Sequence, residues 1–245
     1  MATNWIRFVT CTYAQLEGCE RVKVGTVAQE IELKLLLADH ADYVTVLTAL
    51  SHLATAEVQD QTNYYLDTNR LNLRASRAML RVRVQGQQAK VTVKAKATLQ
   101  DGIQQALELE QNLPPEIAQA WCKTPPSHST PATLAVLPWL CGSEAVLQPP
   151  LPVDAALHVL GAMQTTRRCF SIARNVLSPR APDEVVRLEL DHTRFGTLSE
   201  RFEIELEHPL AAQLRTEIDA WLDGLDVQAE AAEESKYAQF LRLFG

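Results

Sequence analysis

Glu30-Ile31-Glu32-Leu33-Lys34 sets two carboxylates and an ammonium at every second position, with apolar residues between them. Side chains of a β-strand alternate between its two faces. As a strand, this segment presents Glu30, Glu32 and Lys34 on one face and Ile31, Leu33 and Leu35 on the other. Two carboxylates beside an ammonium suit a divalent metal next to an anion such as phosphate. The same partition recurs down the chain. Arg81 and Arg83 alternate with Leu80, Val82 and Val84, and Lys90, Thr92, Lys94 and Lys96 with Val91, Val93 and Ala95. Glu108 and Glu110 alternate with Leu107 and Leu109; Arg187, Glu189 and Asp191 with Val186, Leu188 and Leu190; Glu203, Glu205 and Glu207 with Phe202, Ile204 and Leu206.

An antiparallel sheet with one face in water gives such alternation by itself. These faces, however, are dense in Glu, Arg and Lys, and Arg and Glu largely segregate by strand. Closing the sheet into a barrel would put one face inside. Unpaired buried charge is very costly. The pattern therefore fits a hydrated interior that holds metal ions and a multiply charged anion, with the apolar face packed outward under helices.

The elements that must carry these residues follow from local periodicity. Strands are expected at Gln29–Leu37, Glu57–Asp67, Met79–Gln85, Gln88–Ala97, Ala106–Leu113, Gln164–Ala173, Glu184–Asp191 and Arg201–Glu207. Tyr43, Val46, Leu47, Leu50 and Leu53 fall at helical spacing within Asp39–Thr55, with Asp39 or Asp42 as cap. A turn or short helix is expected around Asn69–Ser76, and helices at Leu210–Asp223 and Glu230–Leu243. Residues 114–162 are rich in proline and read as a partly helical insertion, with short helices near Glu116–Cys122 and Asp154–Leu160. Residues 1–27 form an N-terminal extension, in which Trp5–Val9 suits a short strand, and residues 28–245 one domain.

Composition narrows the classes. A chain of 245 residues, 47% hydrophobic, is long enough for a sizeable core. No apolar run is long enough to span a membrane, and Met1–Arg7 lacks a basic segment followed by an apolar core, so no secretory signal is expected. Cys11, Cys19, Cys122, Cys141 and Cys169 are odd in number and form no C-x-x-C pair, which points to free thiols in a reducing cytoplasm. A net charge of −7 argues against a general nucleic-acid partner. It makes the gathering of Arg81, Arg83, Lys90, Lys94 and Lys96 more telling. The histidines show no ligand spacing.

The ordered set of charged segments resembles the CYTH domains, also called triphosphate tunnel metalloenzymes. The resemblance rests on Glu30-Ile31-Glu32-Leu33-Lys34, Tyr64-Tyr65-Leu66-Asp67-Thr68, Leu80-Arg81-Val82-Arg83 and Val91-Thr92-Val93-Lys94. It continues through Thr166-Arg167-Arg168, Leu190-Asp191, Phe202-Glu203-Ile204-Glu205 and Ser235-Lys236-Tyr237. It implies an α+β, mainly antiparallel fold: an eight-stranded β-barrel tunnel with flanking helices. It also implies hydrolysis or rearrangement of a triphosphate with Mg²⁺ or Mn²⁺. Carried over by motif, Glu30, Glu32, Asp191, Glu203 and Glu205 would hold metal. Lys34, Arg81, Arg83, Lys94, Arg168 and Lys236 would bind phosphates; Arg187 and Glu108 are further site candidates. Lys236, Glu30 and Glu32 would serve catalysis, Lys236 by orienting a water or the leaving group. Of the adjacent Arg167 and Arg168 only one can face inward, and the motif favours Arg168.

The chain departs from the family pattern in three places. A leader precedes the glutamate motif; Ala106 stands where members often carry an Arg; Met79 stands where thiamine triphosphatases of the animal type carry a stacking Trp. The expected activity is hydrolysis of the terminal phosphoanhydride of inorganic triphosphate. The alternatives are hydrolysis of thiamine triphosphate or a nucleoside triphosphate, a class IV-type adenylate cyclase, and a non-catalytic polyphosphate-binding module. The expected partner is a small-molecule triphosphate, with no nucleic acid or membrane; the oligomeric state stays open.

Overall fold

The computed structural model describes residues 26–123, 125, 146–147, 156–179 and 181–244. Its strands are β1 (Thr26–Leu37), β2 (Glu57–Thr68), β3 (Met79–Gln85), β4 (Gln88–Gln100), β5 (Ile103–Leu113), β6 (Leu157–Ala173), β7 (Val185–Phe195), β8 (Ser199–Glu207) and the short β9 (Ala229–Ala231). The helices are α1 (His40–Leu53), α2 (Asn72–Ala75), α3 (Pro115–Lys123), α4 (Ala211–Asp223) and α5 (Lys236–Phe244). The hydrogen-bonded order is β5-β4-β3-β2-β6-β7-β8-β1-β9, and a further β5–β1 pairing closes eight antiparallel strands into a barrel. Two compact units divide the chain. One takes in Tyr65–Lys96 and Leu107–Leu160; the other takes in Glu30–Tyr64, Ala97–Ala106 and Gly161–Gly245.

In the second unit, two-residue alternation decides everything about the core. Leu33 and Leu35 of β1, Phe170 and Ile172 of β6, Leu188 and Leu190 of β7 and Ile204 and Leu206 of β8 share one cluster. Tyr43, Val46 and Leu50 of α1 and Leu214 and Ile218 of α4 pack into the same cluster. Burial of each such side chain is worth about 1.5–3 kcal/mol. The α1 helix begins where Asp39 accepts from Ala41 N at 2.7 Å and Asp42 N at 3.0 Å, a side-chain cap. In the first unit, Leu80, Val82, Val91 and Val93 are buried on the apolar face of β3 and β4.

Local periodicity misplaces two segments. Glu230, expected to open the last helix, lies in β9, which pairs with β1 through Leu35↔Ala231 and Leu36↔Glu230. The helix itself starts at Lys236. Residues 157–160, expected at the end of a helix from Asp154, instead open the long strand β6. In both cases an available strand edge outweighs a weak local preference. The extension before residue 26, its Trp5–Val9 strand, most of the proline-rich insertion and Cys11, Cys19 and Cys141 lie outside the described residues. Among the described residues, no helix is long and apolar enough to cross a membrane.

Candidate functional site

Register places the charged residues of the second unit in two rows. Arg167 of β6, Asp191 of β7 and Glu203 of β8 face one another across neighbouring strands. Glu189 of β7, Glu205 of β8 and Lys34 of β1 form the next row. All these residues lie on the face opposite the helix-covered leucines. They are buried nonetheless: Glu203 is 0%, Asp191 1%, Glu205 2%, Glu32 6% and Lys34 6% exposed.

Burial without solvent demands pairing, and each charge has a partner. Lys34 Nζ donates to Glu205 Oε1 at 2.5 Å and lies 2.7 Å from Glu32. Lys236 Nζ reaches Asp191 at 2.9 Å, Glu203 at 2.5 Å and Glu205 at 2.7 Å. Arg167 donates a fork to Asp191, at 2.8 Å from Nε and 2.7 Å from Nη2. The same guanidinium contacts Glu189 and Glu205. Lys236 arrives from a distant helix because Ser235 caps that helix, its Oγ accepting from Ala238 N at 3.1 Å. Capping sets Lys236 at the first helical position, within reach of three carboxylates.

The sequence expectation about the arginine pair is overturned. Arg168 lies on the apolar parity, opposite Leu190, and donates to the Tyr43 hydroxyl of α1. Arg167 occupies the cluster. Phe170 and Ile172 share the parity of Arg168, and that core parity is the signal that identifies Arg167 instead. Arg187 stands apart as well. Its half-exposed side chain lies at the strand end, 3.3 Å from Glu189 and 3.6 Å from Glu57. Glu30 keeps the face of Glu32 but lies beyond the Glu32↔Glu207 pair and is half-buried.

Two further residues complete the cluster. Buried Arg201 donates to Glu203 Oε1 at 2.6 Å, Gln239 Oε1 at 2.9 Å and the Glu234 carbonyl at 2.8 Å. It shares the parity of Glu203 and Glu205, and Gln239 follows Lys236 by three positions on α5. A cavity of about 560 Å³ opens here, lined by Leu36, Phe202, Arg201, Glu230, Glu234 and Gln239 among others. Of its lining residues, Arg201 is the one bonded to Glu203.

In the first unit, β3 and β4 pair Arg83↔Lys90 and Arg81↔Thr92. Lys90 contacts Glu110 at 2.6 Å and Lys94 contacts Glu108 at 2.9 Å. Arg81 Nη2 donates to Thr92 Oγ1 at 3.3 Å. Arg81, Arg83, Lys94 and Glu108 thus share one charged face. The Tyr64–Thr68 motif is structural: buried Asp67 accepts from the backbone N–H groups of Thr68, Leu73 and Arg74, fixing the turn into β3.

Electrostatics in the second unit favours the charged forms throughout. Burial pushes the Glu205 carboxyl up, but Lys236, Lys34 and Arg167 outweigh it and hold the group well below the usual range. Burial likewise opposes ionisation of Asp191, and Arg167 and Lys236 prevail. Burial disfavours the Lys34 and Lys236 ammonium groups, yet their carboxylate neighbours raise both above the ordinary lysine value. Depressed carboxyls contribute stability above their unfolded pKa of about 4, lost as pH falls through the folded value. Raised lysines contribute below their unfolded pKa of about 10.4, lost only as pH rises through the folded value. The melting temperature is therefore expected to hold level from about pH 5 to 10 and to fall below about pH 4. A thermal-melt series across pH measures this.

Lys34 is also fixed through its backbone. Its N–H donates to the Gly102 carbonyl at 2.7 Å, and its carbonyl accepts from Ala232 N at 3.1 Å. Gly102 has φ +75°, and a Cβ there would stand 2.8 Å from the Lys34 carbonyl oxygen. Gly102→Ala is expected to cost about 2–3 kcal/mol in chemical denaturation, from left-handed strain and displacement of β1.

Carboxylate oxygens are the hard donors that Mg²⁺ and Mn²⁺ take, and Glu32, Asp191, Glu203 and Glu205 supply them. Each is at present bridged by a cation, and among the described residues no three acidic, histidine or cysteine side chains converge as a ligand set. The donor chemistry fits; the carboxylates would have to turn from ammonium to metal.

Comparison with solved structures agrees with the fold. A Hippeastrum protein, provisionally described as an adenylyl cyclase and reported to show a dominant triphosphatase activity, superposes with a TM-score of 0.70 at 21% identity, over 87% of this chain and 95% of its own. A Bacillus halodurans protein provisionally described as an adenylate cyclase gives 0.55 at 21% identity, over 86% and 98%. The PH1819 protein of Pyrococcus horikoshii gives 0.52 at 13% identity, over 87% and 99%. No curated protein matches the sequence. Residues 28–230 match the CYTH domain, and with that match the charged-strand pattern has its explanation: the chain belongs to the CYTH domain family.

Proposed function

We propose that this protein is a Mg²⁺- or Mn²⁺-dependent triphosphatase that cleaves the terminal phosphoanhydride of inorganic triphosphate. One observation carries it: a buried face on which carboxylates and cations alternate, Glu205 holding Lys34, Lys236 and Arg167 at once. Ion pairs so arranged cost desolvation and return little net stability. They make physical sense as a site kept ready for a more highly charged pair, a metal with its phosphate chain.

Glu30, Glu32, Asp191, Glu203 and Glu205 would hold the metal, which when bound neutralises phosphate charge and lowers the pKa of coordinated water. Lys34, Arg167 and Lys236 bind phosphate oxygens of the substrate, Arg167 by its planar fork and the lysines as point charges. Arg81, Arg83 and Lys94, on the charged face of the first unit, are further phosphate-binding candidates. Lys236, held between Asp191, Glu203 and Glu205, orients the attacking water or steadies the departing phosphate. Such positioning and charge neutralisation are the main demands of phosphoryl transfer. The partner is a small-molecule triphosphate, and Cys122 and Cys169, both free thiols, suit a cytoplasmic setting.

Purified protein incubated with tripolyphosphate and Mg²⁺ or Mn²⁺ is expected to release orthophosphate and pyrophosphate, and to lose that activity with a chelator. Thiamine triphosphate and ATP run alongside set the substrate order. Cyclic AMP as the principal product from ATP, with tripolyphosphate untouched, would reverse the assignment.

A further inference from the structure

Residues 68–100 contain eight cations and no Asp or Glu, in a protein whose net charge is −7. Five of the eight lie on β3 and β4. The other three, Arg70, Arg74 and Arg77, lie on the loop and short helix between β2 and β3. The two groups differ in their pairing. Lys90 and Lys94 are matched by Glu110 and Glu108. Arg70, Arg74, Arg77 and Lys96 are exposed, and among the described residues their side chains have no ion-pair or hydrogen-bond partner.

Strand register shows where the unpaired group lies. Arg83↔Lys90, Arg81↔Thr92 and Met79↔Lys94 run in order toward the start of β3. Lys96 follows Lys94 beyond the last paired position. The arginine-bearing loop attaches at that same end, with Ala78 N donating to the Leu73 carbonyl at 2.8 Å and Arg77 N to the Arg74 carbonyl at 3.0 Å. Asp67 clamps the loop in place by accepting from Leu73 N and Arg74 N. Beyond the paired cations of β3 and β4 lie these exposed cations, and the stretch from residue 68 to 100 sets no acid between them.

We infer that Arg70, Arg74, Arg77 and Lys96 form a docking track for a linear inorganic polyphosphate, guiding a chain longer than triphosphate along the phosphate-binding face of β3 and β4. This rests on the phosphate-binding part of the proposed function, not on turnover. A protein of net negative charge repels polyanions at a distance, so attraction must come from a local cluster of cations. The chemistry favours a bare phosphate chain over RNA. Single-stranded nucleic acid is held by aromatic stacking as well as cations, and the segment from Thr68 to Ala78 holds no aromatic residue.

The test compares binding of tripolyphosphate and a medium-chain linear polyphosphate by calorimetry, without metal, to the whole protein and to the variant with Arg70→Gln, Arg74→Gln and Arg77→Gln. The longer chain is expected to bind the unmodified protein about tenfold more tightly than tripolyphosphate. The variant should lose that advantage and keep its tripolyphosphate affinity. Its salt slope for the longer chain should fall by about two, for three lost phosphate contacts. Replacing the three arginines by lysine should restore most of the difference. Equal affinity for both chains in the unmodified protein, or an advantage that survives the three Gln substitutions, overturns the track. So does a 5′-triphosphorylated oligonucleotide that gains more from the arginines than polyphosphate of similar length, which would assign the track to RNA ends. If chain-length preference appears while no triphosphate is turned over, the triphosphatase assignment fails and the track stands.

Discussion

Glu205→Gln is expected to lower tripolyphosphate turnover by at least about a hundredfold and to destabilise the fold by about 3–5 kcal/mol. Glu205 is 2% exposed and is the shared counter-ion of Lys34, Lys236 and Arg167. A neutral amide of the same shape leaves three buried cations short of one negative charge. Their mutual repulsion, not a lost contact area, causes the destabilisation. The same excess positive charge should favour binding of the anionic substrate. Tripolyphosphate is thus expected to raise the melting temperature of the variant more than that of the unmodified protein, although turnover is lost. A kinetic assay paired with thermal melts in the presence and absence of tripolyphosphate separates these effects. Turnover within about tenfold of the unmodified protein would remove Glu205 from the catalytic machinery.

The second large effect separates two neighbours in sequence. Arg167→Ala is expected to reduce kcat/KM by at least about a hundredfold, because it removes the fork on Asp191 and the contacts with Glu189 and Glu205. Arg168→Ala is expected to leave kcat/KM within about threefold and to cost about 1 kcal/mol, for the lost bond to the Tyr43 hydroxyl. The contrast is sharp because β6 is regular at this point: Arg167 pairs with Asp191 and Arg168 with Leu190. Steady-state kinetics and denaturation of both variants measure it. Equal losses of activity would mean that the two sides of β6 are not distinguished as the register requires.

Much of this architecture is visible in local pattern. The alternation of charged and apolar residues on β1, β3, β7 and β8 needs only the two-residue period of a strand, and burial follows it: Leu33 and Leu35 on one side, Glu32 and Lys34 on the other. The α1 helix is equally local, since Asp39 and the apolar spacing that follows specify it. Register and pairing are not local. β9 forms because Leu35 to Leu37 have backbone groups to satisfy, and nothing within Ala229–Ala231 says so. Besides Glu203, the partners of Arg201 are a carbonyl and an amide more than thirty residues away.

By itself, the sequence determined that strands would sort charge from hydrocarbon, because alternation is a property of the extended backbone at each residue. Only the tertiary structure decided which of two adjacent arginines joins the acids and which cations meet at Glu205. Those outcomes depend on the face that α1 and α4 cover and on the strand lying alongside, and both are settled by packing between segments far apart in the chain.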